Sequence, residues 1–319
     1  MTKVLVTGGM GVIGSLISRK LVEEGYETIV FGRHEDRTLI KDVADSVQII
    51  TGNILDLQNL LRIIKTNKVQ RIIHAAACLS QQAQAEPFTG FQVNANGTVN
   101  VLEAARLGGI ERVVFTSAKA VYQRPTGKYA HPAYEPITED YPKEPDTVYG
   151  ATKLFGENMG LNYNKIYGLD FLALRFGSTY SYGKLTGRHA FAKVTTMIEN
   201  AAYGKSTGIP YGGGQKDDYV YSKDVARAAV LACFAVKPQS RVFHIGTGKG
   251  ATLLDLADAI KKFFPEAVID VGQDHDLSDR GRHFIFDISR AEAELKYKPQ
   301  YDLEAGVKDY IAEMTNAGL

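Results

Sequence analysis

Val4-Leu5-Val6-Thr7-Gly8-Gly9-Met10-Gly11-Val12-Ile13-Gly14 is the stretch that decides the fold. Three aliphatic residues in a row read as a buried strand, and the glycines that follow change what the backbone can do. Gly8 permits a tight turn, Gly11 lets the chain approach a pyrophosphate closely, and Gly14 lets the next helix pack on the strand. The N-terminus of that helix faces the anion with free amides and the positive end of its dipole. A glycine triplet alone is weak evidence. Between a strand and a helix it reads as a dinucleotide cradle, with Val12 and Ile13 opening the helix.

Outward from the cradle, β-branched runs at 27–31, 47–51, 70–75 and 110–116 alternate with helical patterns near 12–24, 56–66 and 91–107. Such alternation means a parallel sheet with helices on both faces. Residues 123–147 then turn polar and carry Pro125, Pro132, Pro136, Pro142 and Pro145, the texture of an ordered loop over a cleft. A long helix is expected at 148–167 and a strand at 170–176. Beyond Gly177 the pattern predicts helices near 188–203, 223–236 and 252–263, and strands near 217–221, 241–245, 267–271 and 283–287. The expected class is α/β: a Rossmann-type doubly wound parallel sheet over 1–177, with a smaller C-terminal α/β substrate-binding cap over 178–319. The strands near 217–221 and 241–245 are expected to return to the first domain.

Composition narrows the function classes. The 319 residues carry 37 Lys and Arg against 36 Asp and Glu, a formal charge of +1 that makes no electrostatic case for nucleic acid or an anionic membrane. Cys78 and Cys233 have no C-x-x-C spacing, and the seven histidines form no ligand pattern, so no metal is expected. The chain enters its first strand without a leader-like apolar region, and no apolar run reaches the roughly 18 residues of a membrane span. A cytoplasmic protein acting on a small molecule is the expectation.

The second strand should end beside the adenosine ribose, where an acidic residue ordinarily accepts the hydroxyls of NAD. Here Gly32-Arg33-His34 follows instead. A guanidinium pairs with a 2′-phosphate, so NADP is favoured over NAD. Asn53 ends the third strand where it would meet the adenine edge, with Ile54 beside it. His74-Ala75-Ala76-Ala77 ends the fourth strand with the small residues a nicotinamide ribose needs nearby, and Asn94 completes the candidate cofactor contacts. Tyr149-Gly150-Ala151-Thr152-Lys153 sets a phenol and an ammonium one turn apart on one helix face.

With TGGMGVIG at 7–14, VNANGTVNVLEAAR at 93–106, VFTSAKAVY at 114–122, DDYVYSKDVARA at 217–228 and KPQYDLEAGVKDYI at 298–311, the chain resembles the extended short-chain dehydrogenase/reductases. More narrowly, it is similar to the NAD(P)-dependent epimerase/dehydratase group. The resemblance implies Tyr149 as general acid/base and Lys153 as the holder of the nicotinamide ribose, lowering the phenol pKa. It also implies a homodimer through the helices at 91–107 and 148–167.

Three departures qualify the resemblance. In similar enzymes a Ser or Thr stands four residues before the Tyr of the Val-Tyr dipeptide; here that place is Ala118, and Ser117 is expected to serve as the catalytic hydroxyl through a one-residue bulge, the alternative being that Tyr149 and Lys153 work alone. Related dehydratases carry Asp-Glu next, whereas Lys119-Ala120 follows here. Nucleotide-sugar epimerases carry an arginine for the diphosphate where this chain has Asp217. Ser178, Tyr180, Arg188 and Arg282 are the remaining candidate substrate contacts, with Arg280 a further possible anion ligand. The leading expectation is hydride transfer at a secondary alcohol or ketone carbon of a sugar-like or hydroxy-carbonyl substrate. A nucleotide-sugar 4-epimerase and a non-catalytic dinucleotide sensor are the alternatives.

Overall fold

The computed structural model describes residues 2–183, 192–275, 282–316 and 318, so the expectations for Arg188 and Arg280 lie outside the described residues. The first half runs β1 (Lys3–Thr7), α1 (Val12–Glu23), β2 (Glu27–Gly32), β3 (Val47–Thr51), α2 (Leu57–Asn67), β4 (Arg71–His74), α3 (Ser80–Ala85) and α4 (Pro87–Phe91). A π-helical turn, Gln92–Asn96, leads into α5 (Gly97–Gly108), then β5 (Arg112–Ala118), α6 (Val148–Tyr167) and β6 (Asp170–Phe176). The second half adds β7 (Ser178–Tyr180), α7 (Ala192–Ala202), β8 (Thr207–Ile209), β9 (Tyr219–Tyr221), α8 (Ser222–Phe234) and β10 (Val242–Ile245). It closes with α9 (Leu253–Lys261), β11 (Ile269–Val271), α10 (Ser289–Leu295) and α11 (Leu303–Asn316).

Among the described residues, seven strands form one parallel sheet in the order β10-β6-β5-β4-β1-β2-β3. Its strands are apolar on both faces because both faces are covered. Val4 and Val6 join Ile17, Leu21, Ala228 and Ala229 under α1 and α8, while Leu5 points the other way to Leu60, Ile63, Val101 and Leu102 under α2 and α5. The order reverses between β1 and β4, which opens a crevice at their C-terminal ends.

Two contacts bear on function. On α6, a Cβ at Gly156 would stand 2.7 Å from the Phe115 ring, and one at Gly160 would overlap Phe171. The missing side chains let α6 lie close on β5, which brings Lys153 to the end of that strand. At the other end of the sheet, Arg112 donates to the carbonyls of Ala232, Cys233 and Ala235 at 3.0, 3.3 and 2.6 Å, and Arg71 to Cys233 at 2.9 Å. These arginines satisfy the carbonyls that the C-terminus of α8 leaves unpaired.

The cap has its own core of Tyr180, Met197, Ile198, Tyr221, Leu256, Val307 and Tyr310. Here the expectations need correction. β10 joins the large sheet, but residues 219–221 pair with β7 in a two-stranded sheet, because Gly177 ends β6 and the chain steps out beside Asp218, whose carbonyl takes the Ser178 amide at 2.9 Å. Residues 283–287 form a single bridge, Ile137 with Phe286, since the backbone they pair with among the described residues is the irregular 123–147 loop. The helix expected at 91–107 is interrupted by the π turn, and α3 appears where no helix was expected.

Candidate active site

The cradle is built by crowding. Gly8 adopts φ +68°, its amide donates to Phe31 O at 2.7 Å, and a Cβ there would stand 2.7 Å from the Ala76 backbone. A Cβ at Gly14 would overlap the Gly8 carbonyl, so strand, turn and helix meet only without side chains. Gly11 caps α1 with no side-chain hydrogen bond, and the first turn, Val12 and Ile13 included, holds no acid. Amides left unpaired at a helix start, with no carboxylate nearby, fit an anion such as a dinucleotide pyrophosphate. Beside the cradle, Ala75 N donates to Thr7 O at 3.1 Å and Ala76 N to Thr7 Oγ1 at 3.4 Å. Ala77 is half-buried next in line.

Past β2, Arg33 and His34 are exposed, with Arg33 Nε 3.1 Å from His34 Nε2. Asn53 Oδ1 accepts the Leu55 amide at 3.0 Å, which leaves its NH2 group and a second lone pair for a base. Ile54 is buried where a Cβ on Gly97 would touch it at 2.9 Å. Asn94 is fully engaged: it takes the Cys78 amide at 2.7 Å, returns a hydrogen bond to Cys78 O at 2.9 Å, and donates to Thr152 Oγ1 at 3.2 Å. It ties the segment after β4 to α6. His74 is locked between Thr7 Oγ1 and Thr98 Oγ1 at 2.7 and 3.1 Å, and burial pushes its pKa down to about 3.

Tyr149 and Lys153 lie on the first turns of α6, which Thr147 caps by accepting the Gly150 amide at 3.1 Å. Gly150 has no room for a Cβ against Ala120 O, so the helix start abuts the Lys119–Val121 turn that follows β5. Lys153 Nζ is buried, donates to Thr116 O at 2.7 Å, and stands 4.8 Å from the Phe115 ring and 5.6 Å from the Tyr149 ring. Burial drives both groups toward their neutral forms, the phenol up to about 12 and the ammonium down to about 7. Thr116 O takes one of the three Nζ donors, and no pull from the ammonium offsets burial at the phenol here. Glu157, one turn further along α6, opposes the fall at Lys153.

Ser117 is turned away from this pair. β5 and β6 stay in unbroken register through Thr116, Ser117 and Ala118 opposite Leu174, Arg175 and Phe176, so no bulge exists to rotate it inward. Its hydroxyl donates to Glu157 Oε1 at 2.5 Å instead. Glu157 also takes Arg175 through Nε at 3.0 Å and a terminal nitrogen at 2.6 Å, and Arg175 reaches Tyr122 Oη at 2.5 Å. Glu157 and Arg175 were missed because neither stands in a recognisable spacing.

On the substrate side Tyr180 is 1% exposed and packs against Tyr221 inside the cap core, the ring centroids 5.2 Å apart, so it does not line a cleft. Ser178 is buried and gives its hydroxyl to Asp217, which also holds Lys119. Arg282 pairs with Asp146. Lys119 was passed over as a mere departure from the dehydratase pattern. The signal that finds it is the opposite charge at Asp217, a second departure at a distant position.

The profile of the NAD dependent epimerase/dehydratase family matches residues 4–246. A putative UDP-glucose 4-epimerase of Methanocaldococcus jannaschii is 30% identical over 318 residues, covering 98% of both chains. Among solved structures, a Thermus thermophilus UDP-glucose 4-epimerase in complex with NAD superposes with a TM-score of 0.84 at 26% identity, covering 99% of this chain and 100% of that one. L-threonine dehydrogenase from Clostridium difficile superposes with a TM-score of 0.88 at 26% identity, covering 100% and 99%. With epimerases and a dehydrogenase as its neighbours, the non-catalytic reading falls away. The cradle, the Tyr149 and Lys153 pair and these likenesses lead to one conclusion: the chain belongs to the NAD-dependent epimerase/dehydratase family of enzymes.

Proposed function

We propose that this enzyme moves a hydride to or from a secondary alcohol or ketone carbon of a sugar-like or hydroxy-carbonyl substrate, with Tyr149 as the acid/base. The observation that carries the reading is Lys153 Nζ on Thr116 O at 2.7 Å with the Tyr149 ring 5.6 Å away, at the strand end next to the glycine cradle. A nicotinamide dinucleotide, held by Gly8, Gly11, Gly14 and the first turn of α1, would supply the hydride chemistry when bound.

The chain's own residues handle the proton. In reduction, Tyr149 Oη gives its proton to the substrate oxygen as the carbon gains hydride; in oxidation, the alcohol proton returns to it. A phenol pushed up to about 12 is fully protonated at neutral pH, the state that reduction needs. Lys153 has three N–H donors, and Thr116 O takes one, which leaves two for a ribose and the phenol oxygen. Ser117, bound to Glu157, takes no part. Tyr149→Phe tests the reading: turnover is lost while dinucleotide binding stays, and full turnover would refute it.

The finer cofactor reading is NADP, supported by Arg33 and by a β2 end with no carboxylate. A homodimer is supported by Phe88, Phe91 and Phe155, exposed on α4 and α6, the region of the expected dimer helices; Phe155→Glu should shift the mass in solution toward a monomer. Cys78 and Cys233, both free and buried, accord with a reducing cytoplasm. A second reading, nucleotide-sugar 4-epimerisation, is favoured by the 30% identity to the putative UDP-glucose 4-epimerase. Isomerisation of a UDP-sugar without net change in reduced nicotinamide would establish it.

A further inference from the structure

A line of buried hydroxyls, one imidazole and one side-chain amide runs from the glycine cradle to the start of α6. At the cradle end the Ala76 amide donates to Thr7 Oγ1 at 3.4 Å, and Thr7 Oγ1 lies 2.7 Å from His74 Nδ1. On the other edge of the ring, His74 Nε2 lies 3.1 Å from Thr98 Oγ1, which donates to Asn94 O at 2.6 Å. Asn94 Nδ2 then donates to Thr152 Oγ1 at 3.2 Å, and Thr152 Oγ1 to Tyr149 O at 2.9 Å. Thr7, His74, Thr98, Asn94 and Thr152 are each no more than 5% exposed.

The hydrogens on this line run one way. A threonine hydroxyl has a single hydrogen. That of Thr98 is spent on Asn94 O, so its oxygen accepts and His74 Nε2 donates. A neutral imidazole with its hydrogen on Nε2 has a lone pair on Nδ1, and this takes the hydroxyl hydrogen of Thr7. Burial, helped by the charge of nearby Lys153, pushes the ring pKa down to about 3, so Nδ1 stays bare. Bonds that all point the same way in a dry interior polarise and strengthen one another. The backbone of the same histidine serves the other reacting group: His74 O accepts from Thr116 Oγ1 at 3.1 Å, and Thr116 O holds Lys153 Nζ at 2.7 Å.

We infer that His74 is a positioning residue for both reacting groups, the hub of a polarised hydrogen-bond chain through which the wall of the cradle fixes where Tyr149 and Lys153 stand. For what is being positioned, this rests on Tyr149 and Lys153 as the proton-handling pair beside a bound dinucleotide. The glycines of α6 bring that helix close to β5 but make no directional bond. Asn94 and Thr152 supply direction at the turn that bears Tyr149, and His74 joins them to Thr7, the residue that opens the cradle. A neutral imidazole suits the place because it accepts at one edge and donates at the other while bringing no charge into the core.

Two measurements on the full chain test it. Nitrogen NMR of the imidazoles, with His74 assigned by its loss in His74→Gln, should show a neutral ring with its hydrogen on Nε2 from pH 5 to pH 8. A hydrogen on Nδ1, or a titration within that range, overturns the inference, and this readout needs no cofactor. The second is fluorescence titration with NADH or NADPH, whichever wild type binds more tightly. Thr7→Val and Thr152→Val should each weaken binding about fivefold. The double variant should lose no more than about tenfold, because the two threonines stand at opposite ends of one chain, whereas independent local effects multiply to about 25-fold. Multiplied losses overturn the inference, and so does unchanged binding in either single variant. His74→Gln, which keeps an acceptor beside a donor, should stay within about twofold of wild type, and His74→Phe should match Thr7→Val; equal losses in these two also overturn it. Should Thr152→Val fail to fold, Thr98→Val cuts the chain at its middle and takes its place. If wild type binds neither dinucleotide, the dinucleotide reading falls and takes the inference with it; if Tyr149→Phe keeps full turnover, the acid/base reading falls by itself, whatever the titrations give.

Discussion

The cofactor side of the cleft is shaped by side chains that are missing, and the substrate side by side chains that hold one another. Around Gly8 and Gly14 the backbone itself is the binding surface, and a single methyl meets another backbone atom. Lys119 and Asp217 are a neutralised pair drawn from distant parts of the chain. The first construction serves any dinucleotide, because it contacts the pyrophosphate that all of them share. The second is particular, because changing one charge leaves the other buried and unpaired.

Experiments can break this contrast at points of decreasing effect. Tyr149→Phe removes the group on which both sides converge, and turnover should fall roughly 100- to 10,000-fold. Dinucleotide binding, followed by fluorescence, should stay within about twofold, since the phenol lies outside the cradle. Gly14→Ala tests whether crowding alone shapes the cofactor side. The added methyl overlaps the Gly8 carbonyl, and overpacking of about 1–3 kcal/mol corresponds to weakening of the dinucleotide by roughly 5- to 150-fold. Unchanged affinity would mean that the turn relaxes freely.

Glu157→Gln probes the link between the two sides by removing the charge that opposes the fall at Lys153; one oxygen remains to accept from Ser117 and Arg175 Nε, and the acceptor of the Arg175 terminal nitrogen is lost. Lys153 works as the ammonium, so ketone reduction should be present below its pKa of about 7 and lost as pH rises through it. In the variant that loss should move to lower pH by up to about one unit, read from the rate against pH. An unmoved limb would reduce Glu157 to a structural role. The smallest effect belongs to Arg33→Ala. An exposed guanidinium contributes under about 1 kcal/mol, so the preference for NADP over NAD should fall by no more than roughly fivefold, read from the ratio of the two dissociation constants.

The same contrast explains what was legible in the sequence. Glycine spacing and runs of Val, Leu and Ile report local geometry, so the sheet, α1, α6 and the Tyr149 and Lys153 pair could be placed from neighbouring residues alone. Ser117 could not, because its direction depends on whether β5 holds register with β6, a property of two strands. Tyr180 looked like a cleft residue by its place after Gly177, yet the apolar face of α11 draws it into the cap core beside Gly306. Lys119 and Asp217 are 98 positions apart, and nothing local to either announces the other.

The arginines that cap α8 have a practical consequence for exchanging parts between relatives. Gly177 looks like the seam of the chain, since the motif-bearing half ends there. Yet the alanine-lined face of α8 covers one side of that half's sheet, and Arg112 finds three of its acceptors between Ala232 and Ala235. A protein cut at Gly177 would lose the cover of its sheet and leave Arg112 with Asp170 in place of its α8 carbonyls. A chimera seeking a new substrate region therefore has to keep residues 222–245 with the first half, and take its foreign segments from either side of them.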